Sequence, residues 1–273
     1  MLFRSTKESI ASSFKMMSQF TTRTTTAAGR NTNIRLASET FNGREVLPGE
    51  NFSFNACTGE RTPKKGYQDA GVIKDGVLIQ EPGGGVCQVS TTLFNAVVRA
   101  GLKIVTRHSH TWPSSYVKTG FDAAVNWPGQ DFVFQNTSEY PIYLIAYMTP
   151  VGKGYSFDLT VEVYGKPLLD DGVTIDLRFE ETKRVAYTKE YEVDRSMRPG
   201  EMQKVRDGHD NIQGITYIRY MKGDQLLKEE VLFKNNYRLV TALYKVGPSA
   251  TKKPSTQSPS GTPKPTATKK PDD

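Results

Sequence analysis

The chain has 273 residues, of which 37% are hydrophobic and 24% charged, and this is enough for two modest domains, each with its own core. No apolar run approaches the ~20 residues that a membrane-spanning helix needs. The net charge of +7 comes from basic residues near the two ends, so the nearly neutral middle lacks the basic face that a nucleic-acid-binding protein uses.

Apolar residues near the N-terminus recur at about one helical turn. Phe14, Met17 and Phe20 have this spacing and predict a helix. Further along, AGVIKDGVLIQ predicts a β-hairpin with Asp75-Gly76 at its turn, because this dipeptide accepts the positive φ angles of a two-residue hairpin loop.

The stretch GGGVCQVSTTLFNAVVRAGL predicts the central helix of the first domain. Val89, Leu93 and Val97 recur at helical spacing and make one face apolar, and Gly101 stands where a C-terminal cap belongs. The strand-like segments DFVFQN, PIYLIAYM and YSFDLTVEVYG follow. Residues 1–169 are therefore predicted to form an α+β domain with one central helix packed on antiparallel strands.

Strand patterns dominate the rest of the chain. Residues 170–248 are predicted to form a small all-β module with turns at Pro199-Gly200 and Gly223-Asp224. Residues 249–273 are rich in Pro, Ser, Thr and Lys. They are predicted to be a disordered tail, because they bury too little apolar surface to offset the entropy of ordering.

A candidate reactive site begins where the central helix begins. Three glycines, which permit positive φ and close approach of a ligand, precede the helix: Gly83, Gly84 and Gly85. Cys87 follows in the first turn, where the positive end of the helix dipole stabilises a thiolate. Downstream, His110 could take up the thiol proton and Asp122 could fix the imidazole tautomer. Cys87, His110 and Asp122 are therefore the predicted catalytic residues.

Two histidines compete for the role of base. His108 and His110 alternate, so in a strand they would face opposite sides and at most one could reach Cys87. His110 is preferred because Trp112 follows it and could wall a binding pocket. Besides Trp112 and the three glycines, the predicted binding residues are the polar side chains of the helix: Gln88, Ser90, Thr91 and Thr92.

A structural role is open for each of these residues. Cys87 could be a buried small hydrophobic residue and Asp122 a cap or turn residue, while the polar side chains after Cys87 could satisfy local backbone groups. Ser90 lacks the GxSxG context of a serine nucleophile. With two cysteines, no CxxC pair and three histidines, the sequence predicts no metal site and no cofactor.

Taken together, NIRLASETFNG, PGENFSFN, GERTPKKGY, GGGVCQVSTTLFNAVVRAGL and RHSHTWPSSYV resemble the VanW family, over about residues 14–165. This family is named for an accessory protein of glycopeptide-resistance clusters. The resemblance implies that the predicted catalytic residues, the glycines and the polar helix residues are important, whereas Trp112 departs from the family pattern. Family members are generally exported or membrane-anchored through additional N-terminal sequence. An extracytoplasmic, wall-associated or surface-associated protein is therefore implied, held at a membrane only through a segment that precedes this chain.

Two further resemblances are weaker. The Cys87 helix followed by HTW is similar to the cysteine and histidine segments of transglutaminase-like proteins, with a shorter distance between them. Residues 184–247 are similar to the G-five module, through Pro199-Gly200-Glu201 and Gly223 among others. The association of that module with N-acetylglucosamine polymers implies binding to peptidoglycan or a surface glycan.

Two functions follow from these observations. The first is a cell-envelope accessory protein of the VanW type that associates with peptidoglycan or surface glycan. The alternative is a cysteine-dependent enzyme that transfers acyl groups or hydrolyses amides in cell-wall peptides.

Overall fold

The computed structural model describes residues 7–8, 14–74 and 77–248, and of residues 73, 74, 77 and 78 it describes the backbone alone. The predicted disordered tail and the Asp75-Gly76 turn lie outside the described residues. The described strands are β1 (Lys15–Arg23), β2 (Arg44–Val46), β3 (Asn51–Ser53), β4 (Asp69–Lys74), β5 (Val77–Pro82), β6 (Lys103–Thr106), β7 (Val133–Gln135), β8 (Ile142–Val151), β9 (Ser156–Gly165), β10 (Val173–Val185), β11 (Lys189–Val193), β12 (Met202–Arg206), β13 (Asn211–Lys222), β14 (Gln225–Tyr237) and β15 (Ala242–Val246). The described α-helices are α1 (Ala28–Glu39), α2 (Phe54–Thr58) and α3 (Val86–Arg99). No helix among them combines the length and the apolar character needed to cross a membrane.

Antiparallel β structure dominates the first part of the chain. Strands make up 45% of the described residues, so this part of the chain is more strongly β than the α+β prediction implied. One antiparallel sheet has the strand order β1-β9-β8-β2, and a second has the order β3-β7-β6. Strands β4 and β5 pair as the predicted hairpin. The segments PIYLIAYM and YSFDLTVEVYG lie in β8 and β9, as their alternation predicts.

The helix predicted from Phe14, Met17 and Phe20 is wrong. Met17 and Phe20 lie in β1, which pairs with β9 along its whole length. The two side chains pack against the main hydrophobic core, and α3 covers β1 and β9. Pairing with β9 and burial beneath α3 therefore override the local helical spacing.

Helix α3 lies across the first sheet, in contact with β1 and β9, and beside α1. Its last residue is Arg99, and Gly101 follows with a φ of 81°, as expected of a glycine just after a helix. The predicted apolar face is buried, but so are polar residues such as Thr91 and Asn95. The helix is thus enclosed on nearly all sides, not on one face alone.

Two three-stranded sheets without a helix follow β9. One is antiparallel with the order β10-β13-β14. In the other, β15 lies between β11 and β12, parallel to the first and antiparallel to the second. Gly200 and Gly223 have φ angles of 78° and 57° and lie at the two predicted turns.

The first and last parts of the chain share apolar contacts. Leu177 of β10 belongs to the same buried cluster as the apolar side chains of α3. Phe233 of β14 packs on Phe94 of α3 with ring centroids 5.9 Å apart. The division into domains of residues 1–169 and 170–248 stays a prediction. Side chains from the two segments pack against each other in one hydrophobic core.

Candidate active site

The triple glycine makes room for two arginine side chains. Gly83 and Gly85 have φ angles of 94° and 103°, a region that L side chains rarely adopt. A Cβ atom on Gly83 would lie 2.9 Å from Cβ of Arg61, and one on Gly85 would lie 2.8 Å from Cγ of Arg30. Gly84 lies equally close to the backbone of β4. The glycines therefore let both arginines cross the start of α3.

Cys87 lies half-buried in the first turn of α3. Its Sγ lies 3.2 Å from the carbonyl oxygen of Val125, to which the protonated thiol donates a hydrogen bond, and it also interacts with the imidazole of His110. Cys57 donates instead to the carbonyl oxygen of Thr40, and the two cysteines are not joined by a disulfide. Among the described residues, no group of three or more His, Cys, Asp or Glu side chains is arranged to hold a metal ion.

Residues 121–125 run along α3 and are held there by polar side chains of the helix. Thr91 Oγ1 accepts a hydrogen bond from the backbone N–H of Ala123 at 2.9 Å. Ser90 Oγ donates to the carbonyl oxygen of Ala123 at 2.7 Å. These bonds fix the backbone on the C-terminal side of Asp122 and so position its carboxylate.

The carboxylate of Asp122 is surrounded by donors. Its Oδ2 accepts hydrogen bonds from the backbone N–H of His110 at 2.7 Å and from ring atom Nδ1 at 2.6 Å. Its Oδ1 accepts from Arg107 Nη2 at 2.9 Å and from the Tyr237 hydroxyl at 2.5 Å. Because only 1% of the Asp122 side chain is exposed, these donors replace the water that the charge has lost.

The environment lowers the pKa of Cys87 and raises the pKa of His110. Burial alone would raise the pKa of Cys87, but the hydrogen bond to His110, the charge of that imidazole and the nearby Arg61 lower it below its ordinary value of 9.0. Burial would lower the pKa of His110, but Tyr116, Asp122 and Cys87 together raise it well above 6.5. Burial also opposes the charge of Asp122, yet its hydrogen bond with His110 and a neighbouring guanidinium lower its pKa.

The polar residues after Cys87 are enclosed in the protein. At most 1% of Gln88, Ser90, Thr91 or Thr92 is exposed. Gln88 Nε2 donates to Thr22 Oγ1 at 2.9 Å, and Thr92 Oγ1 lies 2.8 Å from the same oxygen. This geometry favours the structural interpretation, in which these side chains form hydrogen bonds inside the protein and do not contact a ligand.

The two histidines and Trp112 lie in a loop that follows β6 and is not a strand. His110 contacts Cys87, whereas the backbone carbonyl of His108 pairs with the segment that follows Asp122. Trp112 stacks on His209, with ring centroids 4.2 Å apart and 7° between the planes, so this face of its ring is covered. The structure brings Cys87, His110 and Asp122 together and leaves Trp112 at the periphery.

Three residues of the site were not predicted from the sequence. Arg107 forms an ion pair with Asp122. Its position directly before His108 was the one feature of the sequence that could have indicated a place in the site. The Tyr116 hydroxyl lies 3.5 Å from His110 Nε2. Tyr237 lies 115 positions from the carboxylate it contacts, so no local pattern could have indicated it.

The fold and the site together define a mostly β protein with a Cys–His–Asp cluster at the start of a buried helix. Residues 29–157 contain the whole cluster and match the family model described as VanW like protein. This part of the chain is a VanW-like domain.

Two curated proteins are similar to this chain. The uncharacterized protein YoaR of Bacillus subtilis (strain 168) is 45% identical over 141 residues, which cover 52% of this chain and 45% of that protein. The vancomycin B-type resistance protein VanW of Enterococcus faecalis (strain ATCC 700802 / V583) is 31% identical over 112 residues, which cover 39% of this chain and 41% of that protein. The chain thus spans less than half the length of these relatives.

Two solved structures of G5 domains also match part of the chain. The crystal structure of HP0197-G5 is 15% identical and covers 28% of this chain and 97% of that one, with a TM-score of 0.17. The G5 domain of IgA1 protease is 9% identical and covers 28% of this chain and 90% of that one, with a TM-score of 0.19. At such low TM-scores these matches carry no argument about the fold or the function.

Proposed function

We propose that the protein is a cysteine-dependent acyl transferase or amide hydrolase that acts on cell-wall peptides outside the cytoplasm. The observation that carries this proposal is the series Cys87–His110–Asp122, in which the thiol interacts with the imidazole and the imidazole is hydrogen-bonded to the carboxylate at 2.6 Å. A cysteine that serves only as a small apolar side chain needs no imidazole partner, and an imidazole with a buried carboxylate on Nδ1 is oriented for proton transfer through Nε2.

In the proposed reaction, the Cys87 thiolate attacks the carbonyl carbon of a substrate amide. The C–N bond breaks as protonated His110 gives its proton to the departing amine, and the acyl group remains on sulfur as a thioester. An amine or a water molecule then attacks the thioester and gives its proton to His110. The acyl group leaves with the new nucleophile, and the thiolate and the imidazolium are restored without any further reactant.

The first turn of α3 supplies the proposed donor to the oxyanion. The backbone N–H groups of Val86 and Gln88 already donate to the carbonyl oxygens of Gly83 and Gly85, at 3.1 and 2.9 Å. The N–H of Cys87 lies between them, at the positive end of the helix. We assign this N–H the role of stabilising the negative oxygen of the tetrahedral intermediate.

The substrate class and the location are proposed from the relatives of the chain. One relative is named a vancomycin B-type resistance protein, and the resemblance to the VanW family implies export. These two points support a peptidoglycan peptide as the acyl donor. Attachment of residues 170–248 to N-acetylglucosamine-containing glycan stays a prediction.

The acyl-enzyme provides the test. The whole chain is incubated with purified peptidoglycan peptides, quenched in acid and measured by intact mass. The proposal predicts a peptide acyl adduct that is lost in Cys87→Ser, is retained in the matched control Cys57→Ser, and forms more slowly in His110→Ala. If no adduct forms and the peptides stay unchanged under conditions in which the chain is folded, the proposal is wrong and an accessory role remains.

A further inference from the structure

Two buried guanidinium nitrogens beside the site have no hydrogen-bond partner among the described residues. Nη1 of Arg30 and Nη1 of Arg61 are both buried without a hydrogen bond. Arg61 makes one hydrogen bond, from Nη2 to Asn55 Oδ1 at 2.7 Å. Within residues 14–74 and 77–248, neither guanidinium is within ion-pair distance of a carboxylate.

Among the described residues, few titratable groups interact with the two guanidinium groups. Arg30 interacts electrostatically with Tyr116 and Cys87, and Arg61 interacts with Tyr67, Cys87 and Asp131. Asp131 is the only carboxylate in this set. It is engaged elsewhere, because its oxygens accept hydrogen bonds from the Ser53 hydroxyl and from the backbone N–H groups of Asn55 and Phe132.

A third donor near Arg61 is also unsatisfied. The hydroxyl of Tyr67 is buried without a partner, and the residue is 4% exposed. Burial lowers the pKa of both Arg30 and Arg61, as expected of charged groups that are shielded from water. Buried charged groups are normally paired, because an isolated one loses several kcal/mol of hydration.

We propose that Arg30 and Arg61 form a subsite for a carboxylate that adjoins the scissile amide of the substrate. This inference rests on the proposed function and deepens it, since it restricts the acyl donor to peptides with a free carboxylate near the bond that Cys87 attacks. The stems of both arginine side chains lie against the glycines that precede Cys87, and both guanidinium groups interact electrostatically with Cys87, so a carboxylate bound to them would lie near the sulfur. The positive φ and the absence of Cβ atoms at Gly83 and Gly85 serve to bring them there.

Two alkylating reagents that differ in charge test the subsite. Iodoacetate carries a carboxylate next to its reactive carbon, and iodoacetamide is its neutral counterpart. Rates at Cys87 and Cys57 are measured in the same sample by peptide mass spectrometry, for the whole chain and for Arg30→Gln, Arg61→Gln and the control Arg99→Gln. Arg99, the last residue of α3, is also partly buried, but it hydrogen-bonds to Asn95.

The subsite predicts that the ratio of the iodoacetate rate to the iodoacetamide rate is higher at Cys87 than at Cys57. It also predicts that this ratio falls about ten-fold in each of the two arginine variants, as the loss of one charge-assisted hydrogen bond would cause, and stays unchanged in Arg99→Gln. Millimolar N-acetylglycine should protect Cys87 from iodoacetamide, and N-acetylglycinamide should not.

The outcomes separate this inference from the proposed function. If Cys87 reacts rapidly with both reagents and the ratio is the same in all variants, the arginines only stabilise the thiolate. The subsite is then wrong while the proposed function stands. If Cys87 reacts as slowly as Cys57 with both reagents, both the proposed function and the subsite are wrong.

Discussion

Asp122 is the residue on which the charges of the site depend. It accepts hydrogen bonds from the backbone and ring of His110, from Arg107 and from Tyr237, and it is almost wholly buried. It therefore stabilises both the imidazolium on one side and the buried guanidinium on the other. Removing its charge should alter the ionisation of Cys87 without touching the sulfur.

Asp122→Asn should change the ionisation of the site. Without the carboxylate, the pKa of His110 should fall and the pKa of Cys87 should rise, because the imidazolium loses its counterion. The iodoacetamide rate at Cys87 should then drop about ten-fold at about pH 6, for each unit by which the thiol pKa rises. The control is Asp158→Asn, which removes an exposed carboxylate paired with Arg23. An unchanged pH profile would show that Asp122 does not set the ionisation of Cys87.

The second prediction concerns stability at low pH. The pKa of Asp122 is lower in the folded chain than its ordinary value of 3.8, so the stability that this carboxylate contributes is present above that value. It is lost as the pH falls through the lowered folded value. The free energy of unfolding of the wild-type chain should therefore decline below about pH 4, more steeply than that of Asp122→Asn. Parallel pH curves in chemical denaturation would contradict this.

At the scale of elements, α3 and the segment of residues 121–125 form one unit. The helix is polar at Ser90, Thr91 and Asn95 because these side chains hold the neighbouring backbone, which has no regular strand partner there. Buried polar groups in such a network are costly to leave half-satisfied. The helix thus positions the carboxylate side of the site as well as the sulfur.

Substitution of Thr91 by Val tests this unit. The change keeps the volume but leaves the buried N–H of Ala123 without an acceptor, so the chain should lose about 1–3 kcal/mol of stability. It should also raise the apparent pKa of Cys87, because the segment that carries Asp122 loosens. The matched control is Thr92→Val, whose hydroxyl bonds to Thr22 and Gln88 and not to that segment. If the alkylation of Cys87 has the same pH profile in both variants, the hydrogen bond from Thr91 does not influence the ionisation of the site.

Several of the helices and strands could be predicted from the sequence. The extent of α3, its cap at Gly101, the β4–β5 hairpin and the β8–β9 pair follow from local spacing and turn residues. The strand at Met17 and Phe20 could not be predicted, because its pairing with β9 and its cover by α3 are non-local. The cluster residues were indicated by their chemistry and their order in the chain. The burial of Gln88 and Thr92 could not be predicted, because polarity alone does not distinguish a ligand-binding residue from a buried residue that hydrogen-bonds inside the protein.

At the scale of the whole molecule, the last strands take part in the site. Tyr237 contacts Asp122, and Asn235 Oδ1 accepts a hydrogen bond from Arg107 Nη1 at 2.5 Å. Thr216 Oγ1 donates to the carbonyl oxygen of Gly120 at 2.8 Å. A deletion of residues 170–248 would therefore disturb the site as well as any glycan attachment. Point substitutions are the cleaner probe of each.

Tyr237→Phe tests this coupling. The substitution removes the hydroxyl that donates to Asp122 and accepts from the N–H of Gly120, so we expect a loss of about 1–3 kcal/mol and a slower reaction of Cys87 with iodoacetamide. Tyr155→Phe is the control, because Tyr155 is 67% exposed. A variant with unchanged stability and thiol reactivity would show that β14 packs against the site without influencing it.

The most direct test of the account is the rate at which Cys87 is alkylated, relative to Cys57 in the same folded chain, at about pH 6. There an ordinary thiol with a pKa of ~8.5 is almost wholly protonated. We expect Cys87 to react at least about ten-fold faster than Cys57 and His110→Ala to remove most of this difference. Equal and slow alkylation of the two cysteines, unaffected by the loss of the imidazole, would contradict it.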